Sequence, residues 1–342
     1  MSHQVHSPAP VRELPGEPVP YYLADGDGRA HLLLGQVGRA LASTEETAGA
    51  MSVMTAVGPA GGPIPLHRHE KEHDYFLCVR GVVQVWADGA SRILYPGDVA
   101  SVPAGVLHAY QFHGHYSQFM GPIAPAGWDR FFDFTGTPYA APAYPQVDNS
   151  PPPFAKFGAA EAKFGMKYFP DEPYTDVTTG PDDSLPGAPT AYFLRAGEGP
   201  RHVLFGQVAF QLMTGAESGG ELGMTVTEGS RGPAIPAHVH ERTYEAIYCL
   251  DGRLLVTVDG EEHLLTRGDF VSIPAGVEHT YAMDAHLTRF ASMYGPAGVE
   301  RFYEVAGRVA EQRIFPEQAE TVDRDRLAAA ASDARIDIAF VG

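Results

Sequence analysis

A chain of 342 residues with 44% hydrophobic content is long enough for two cores, yet no stretch reaches the roughly 18 apolar residues that a membrane span needs. A formal charge of −18 leaves no basic footprint for nucleic acid or an anionic membrane, so neither is expected as a partner. Two cysteines, Cys78 and Cys249, are too few for a disulfide framework and read as small buried hydrophobes in strands.

The first thirty residues are polar and proline-rich with no apolar run of signal length, which makes a soluble, cytoplasmic protein the expectation. Short apolar segments follow, "YYL" at 21 and "HLLLGQV" at 31, and then "PLHRHEKEHDYFLCVRG" at 65–81. Next, "VVQVWADGASRILY" sets two apolar runs around Asp88-Gly89, the pair that supplies the positive φ angles of a tight hairpin turn. Gly97, Pro103 and His108 close this region. The aromatics of "GWDRFFDF" are expected to pack between sheets, as are those of "FQLM" further on, and His113 and His115 read as an exposed strand end. "FAKFGAAEAKFGMKYF" from 154 reads as a helix followed by a short strand.

The same series then runs again. His67, His69, Gly81, Gly97, Pro103 and His108 recur as His238, His240, Gly252, Gly268, Pro274 and His279, each pair 171 positions apart. "YFL" at 192, "HVLFGQV" at 202, the Asp259-Gly260 hairpin and "DRLAAAASDARIDIAFV" from 325 fill the matching places. The expected organisation is an N-terminal domain at 1–170, a linker rich in Pro, Gly and Asp at 171–188, and a C-terminal domain at 189–342. Many short strands with Gly and Pro turns make each domain all-β, a sandwich or barrel with a short closing helix.

In "PAHVHERTYEAIYCLDG" at 236–252, His238 and His240 alternate along a strand and so project to one face. Glu245 follows, and His279 arrives from a distant segment. Three imidazoles and a carboxylate suit a divalent transition metal, Fe, Mn, Co, Ni or Cu, with positions left for substrate or oxygen. His67, His69 and His108 repeat the pattern with Asp74 in the carboxylate position and Glu72 and His73 beside it. Asp is shorter than Glu by one carbon–carbon bond, about 1.5 Å. Asp74 is therefore expected either as a ligand reached by an inward shift of backbone or as a base outside the ligand shell. One or two ions per chain follow.

These segments, G-x5-H-x-H-x3/4-E-x6-G and G-x5-P-x-G-x2-H, identify the chain as a member of the cupin superfamily, whose fold is a double-stranded jelly roll, here in tandem as a bicupin. Phe112 stands where the second motif often carries asparagine, which implies a more apolar barrel floor. "FLCVRGVVQVWADG", "RILYPGDVASVPAGVLHAYQF" and "GPIAPAGWDRFFDFTGTPY" resemble the flavonol dioxygenases, or quercetinases. That resemblance implies a small aromatic substrate and O2 as partners. It also implies that a glutamate, Glu245, is both metal ligand and the base for the 3-hydroxyl proton, with loss of carbon monoxide and formation of a depside ester. The intact second set makes Glu245 the expected catalytic residue and Asp74 its altered counterpart; a glutamate near an apolar wall can be pushed toward the pKa such a base needs. A homodimer is compatible with this reading. A cupin isomerase or cyclase on a polyketide-like aromatic, and a non-enzymatic metal or ligand-binding bicupin, stay open beside it.

Overall fold

Asp88 and Asp259 take φ angles of 50° and 49°, and the glycines after them 75° and 79°, so both Asp-Gly pairs form the expected two-residue hairpins. Gly81 and Gly252 turn the chain at φ 73° and 77°, where a Cβ would lie 2.4 Å from the Tyr116 carbonyl oxygen and 2.1 Å from that of Leu287. The motif glycine is required twice over, by backbone angle and by close approach.

The computed structural model describes residues 13–341 except 142, 147, 149, 179, 181, 182 and 318–322. Its chain forms two compact units, Gly28–Ala196 and a second in which residues through Asp27 join the chain from Gly197 onward. Each unit is a pair of antiparallel sheets, one of eight strands and one of five, as expected for tandem jelly rolls. In the first, the five-stranded sheet carries His67–His69 and His108–Phe112, and the larger sheet carries His73–Arg80 and Ser117–Ala124. Phe76, Val83, Val85, Leu94, Phe112 and Phe119 fill the space between the sheets, so the apolar floor expected from Phe112 is present. Ile247, Leu254, Val256, Val271, Met283 and Phe290 do the same in the second. Cys78 and Cys249 are free and buried on matching strands. Helices at Phe154–Phe164 and Arg324–Ser332 precede the short strands Met166–Tyr168 and Ala339–Phe340, as read from sequence.

The repeat boundaries and the compact units differ. Tyr21–Leu23, in the first repeat, pairs with Phe270–Ile273 of the second, and Tyr192–Leu194, in the second repeat, pairs with Val99–Val102 of the first. Each exchanged strand is tied down by the aspartate of a motif turn. Asp269 Oδ1 accepts from the Asp25 amide at 2.9 Å, and Asp98 Oδ1 accepts from the Ala196 amide at 2.8 Å. Nor is the segment at 171–188 free of the first unit. The Trp86 indole donates to the Thr175 carbonyl at 2.8 Å, and the Thr178 amide to the Ser91 carbonyl at 2.8 Å.

Candidate metal centres

In both units the first and third histidines face each other directly across paired strands, His67 opposite His108 and His238 opposite His279. Alternation along the strand brings the middle histidine to the same face. Ring centroids of His67, His69 and His108 lie 5.1, 4.3 and 5.0 Å apart, and those of His238, His240 and His279 lie 5.1, 4.2 and 5.0 Å apart. The two histidine sets therefore agree in ring spacing to 0.1 Å, and the carboxylates differ.

His238, His240, Glu245 and His279 offer ligand atoms that all lie within 4.8 Å of one another, and all four side chains are buried. Glu245 Oε2 is 3.2 Å from His240 Nε2 and 3.0 Å from His279 Nε2. The first cluster meets the same criterion with His67, His69 and His108 alone. Asp74 sits at its edge, Oδ2 at 3.2 Å from His108 Nε2 and Oδ1 at 3.5 Å from His69 Nδ1. Of its neighbours, His73 points the other way along the strand and its Nε2 bonds the Ser101 hydroxyl at 2.7 Å, so it is no reserve ligand. Glu72 is half-buried and outside the cluster.

Electrostatics favour neutral His67 and His238 imidazoles beside ionised carboxylates. Burial, then the adjacent imidazoles, hold His67 and His238 well below the usual histidine range. Burial alone would push Asp74 and Glu245 up, but hydrogen bonds and charge from the imidazoles outweigh it and hold both carboxyls well below their usual range. The histidine contacts thus hold Glu245 away from the raised pKa that an apolar wall alone would give it. Five of the six Nδ1 atoms bond carbonyls, His67 to Pro65 at 2.9 Å, His108 to Val106 at 2.9 Å, His238 to Pro236 at 3.0 Å, His279 to Val277 at 3.0 Å and His240 to Asp337 at 2.5 Å. Such bonds fix the tautomer that leaves Nε2 free for a metal. In the first centre, buried nitrogens of His69 and Oδ1 of Asp74 have no hydrogen-bond partner, as groups awaiting an ion would. The residues present fit one or two divalent transition metals per chain.

The two centres open into different spaces. The first adjoins a cavity of about 840 Å³ including its mouth, with Leu33, Ile64, Trp128, Phe131, Phe132 and Phe157 among its walls. The second adjoins about 420 Å³, narrowed by Phe205, Tyr281, Tyr294 and Tyr303. Here the sequence reading is corrected: Trp128, Phe131 and Phe132 of "GWDRFFDF" line a cavity as well as pack, whereas Phe210 to Met213 of "FQLM" are buried packing residues. Sequence could have found this only by noting that Trp128 matches Val299 and Leu34 matches Phe205 across the repeat. His113 and His115 are exposed, with His113 Nε2 bonded to Gln84 Oε1 at 2.8 Å, and belong to neither cluster.

Residues 54–116 and 224–304 match the Cupin domain family, so each of the two jelly-roll sandwiches carries a cupin domain. The chain is similar to a quercetin 2,3-dioxygenase of Bacillus subtilis (strain 168), 28% identical over 93% of this chain and 94% of the relative. It is also similar to a quercetin 2,3-dioxygenase of Aspergillus japonicus, 26% identical over 67% of this chain and 74% of the relative. Among solved structures, protein Ylba from E. coli superposes with a TM-score of 0.55 at 12% identity, covering 83% of this chain and 94% of that one. Bacillus subtilis oxalate decarboxylase does so with a TM-score of 0.52 at 16% identity, covering 86% and 80%. The two structural likenesses bear on fold alone. No helix among the described residues is long and apolar enough to cross a membrane.

Proposed function

We propose that the chain is a metal-dependent dioxygenase that opens a hydroxylated aromatic or enolic ring with O2, acting on a flavonol to give a depside and carbon monoxide. One observation supports this most. His67, Asp74 and His108 form part of the wall of a cavity of about 840 Å³ that is otherwise mainly aromatic and aliphatic. A lining of this kind, mostly apolar with a few convergent polar groups, suits a flat, largely apolar ligand. The similarity to two quercetin 2,3-dioxygenases supports the same class.

The same observation favours the first cluster as the working site over the second, which its complete His3-Glu set favours when sequence alone is read. His67, His69 and His108 would hold the metal, which when bound supplies Lewis acidity to the substrate oxygen and a redox partner for O2. The ionised Asp74 carboxylate, with Oδ2 3.2 Å from His108 Nε2, would then be the acceptor for the substrate's hydroxyl proton. The aromatic walls exclude water from the ring that O2 attacks. Glu245 then serves as ligand in the narrower second centre. The test is to supply metal-loaded protein with a 3-hydroxyflavone and follow loss of its visible absorbance together with oxygen uptake and carbon monoxide release. Turnover without oxygen uptake, or none with any flavonol, would overturn the reading.

A further inference from the structure

Of the six clustered histidines, His69 alone has neither ring nitrogen hydrogen-bonded. Its counterpart His240 is held firmly: Nδ1 bonds the Asp337 carbonyl at 2.5 Å. The Asp337 carboxylate also accepts from the amides of Glu241, Arg242 and Thr243 at 3.1, 2.8 and 2.8 Å, which braces the loop that leaves His240. At the matching position, 171 residues earlier, stands Met166, which has no carboxylate to offer. It pairs with His69 only through the strand register. Apart from Asp74 Oδ1, 3.5 Å from its Nδ1, what touches His69 instead is a ring. The Trp128 indole stacks on it at a centroid distance of 3.7 Å and an interplanar angle of 30°. Phe131 backs the indole at 4.7 Å and 5°. Val299 stands where Trp128 would be in the second unit, so no such stack exists there.

We infer that Trp128 is a positioning residue, holding His69 by ring stacking where a hydrogen bond holds His240, and that the first centre is thereby the readily exchangeable one of the two. Stacking fixes the plane of the imidazole but leaves it free to rotate within that plane, whereas a carbonyl partner fixes the in-plane angle and raises the ring's basicity; Asp74 Oδ1, 3.5 Å from His69 Nδ1, is too distant to do the same. The carboxylates act in the same direction, because Glu245 lies inside its cluster and Asp74 at the edge of its own. The inference rests on both clusters binding a transition metal but not on the choice of substrate.

Protein loaded with Co(II) and challenged with excess EDTA tests it, with bound cobalt and tryptophan fluorescence followed together. Cobalt should leave in two equal phases separated by roughly tenfold or more in rate, the scale on which outer partners alter metal affinity. Fluorescence should recover in the fast phase, since Trp128 contacts a ligand of that centre. Trp128→Val, which copies the second unit, should speed the fast phase and leave the slow one alone, and Trp128→Phe, which keeps a ring, should fall between. His238→Ala should retain only the fast phase and His67→Ala only the slow one, so either variant makes the assignment if the other fails to fold. One ion held by the second centre alone supports the inference at its limit. Two ions leaving in a single phase, an ion held by the first centre alone, or a fast phase that Trp128→Val does not change would overturn it. Protein that takes up no cobalt overturns the metal reading itself.

Discussion

Ile123 and Tyr294 occupy matching positions in the two barrels, each directly across the larger sheet from the acidic residue of its cluster, Asp74 and Glu245 respectively. The difference in bulk at this position is one reason the first cavity is about twice the second. Ile123→Tyr should therefore import the narrowing. Turnover of a flavonol should fall roughly tenfold or more, the scale set by overpacking a filled site, while cobalt stoichiometry stays as in the unaltered protein. Steady-state rates beside a metal analysis check this, and unchanged kcat and KM would mean that the first cavity does not take the substrate.

The same geometry orders the acidic residues. Asp74→Asn keeps the shape of the side chain but removes the acceptor, so turnover should drop by about 10²–10⁴, the range for loss of a general base. Glu245→Gln should act mainly on metal retention in the second centre and leave flavonol turnover largely in place. Paired measurements of rate and cobalt content separate the two. If Glu245→Gln abolished turnover and Asp74→Asn did not, the second centre would be the working one, as its complete ligand set suggests when sequence alone is read.

That contrast marks how far the sequence was legible. The 171-residue offset exposes both clusters, both Asp-Gly hairpins and both closing helices, because each depends on local spacing or turn chemistry. The cavity was not legible, since its size depends on Leu34, Ile123 and Trp128 against Phe205, Tyr294 and Val299, residues that meet only once the barrel forms. Strand exchange was hidden for a different reason. "YYL" and "YFL" carry the same pattern, and either could pair with either sheet; the deciding bonds, from Asp25 to Asp269 and from Ala196 to Asp98, join residues 244 and 98 positions apart.

Stability of the metal-free protein should fall with acid before the carboxylates titrate. Burial lowers the pKa of His73 from 6.5 to about 4, and it lowers His67 and His238 as well. The unfolded chain therefore binds protons near pH 6.5 that the folded chain does not. Stability is full above that value and is lost as pH falls toward 4, with His73 alone accounting for up to about 3 kcal/mol. Urea unfolding of EDTA-treated protein at pH 7.5, 6 and 5 should show the midpoint dropping at each step. A flat profile over this range would mean that the histidines are not held neutral by the fold.

Removal of the chain through Asp27 should destabilise the second unit rather than the first. Such a deletion takes away Tyr21–Leu23, whose Tyr21 and Leu23 side chains are buried and whose backbone covers the edge of Phe270–Ile273. Fully burying one large apolar side chain contributes about 1.5–3 kcal/mol, so two of them with the Asp25–Asp269 bond amount to several kcal/mol. Exposure of Phe270–Ile273 as a bare edge should also promote association between copies. Trp86 and Trp128 both lie in the first unit, so tryptophan fluorescence reports that unit alone while circular dichroism reports both. The deletion should lower the midpoint seen by circular dichroism and leave the fluorescence midpoint in place. Domains divided as the repeat suggests, at 1–170 and 189–342, would give the opposite result, with the fluorescence midpoint falling first.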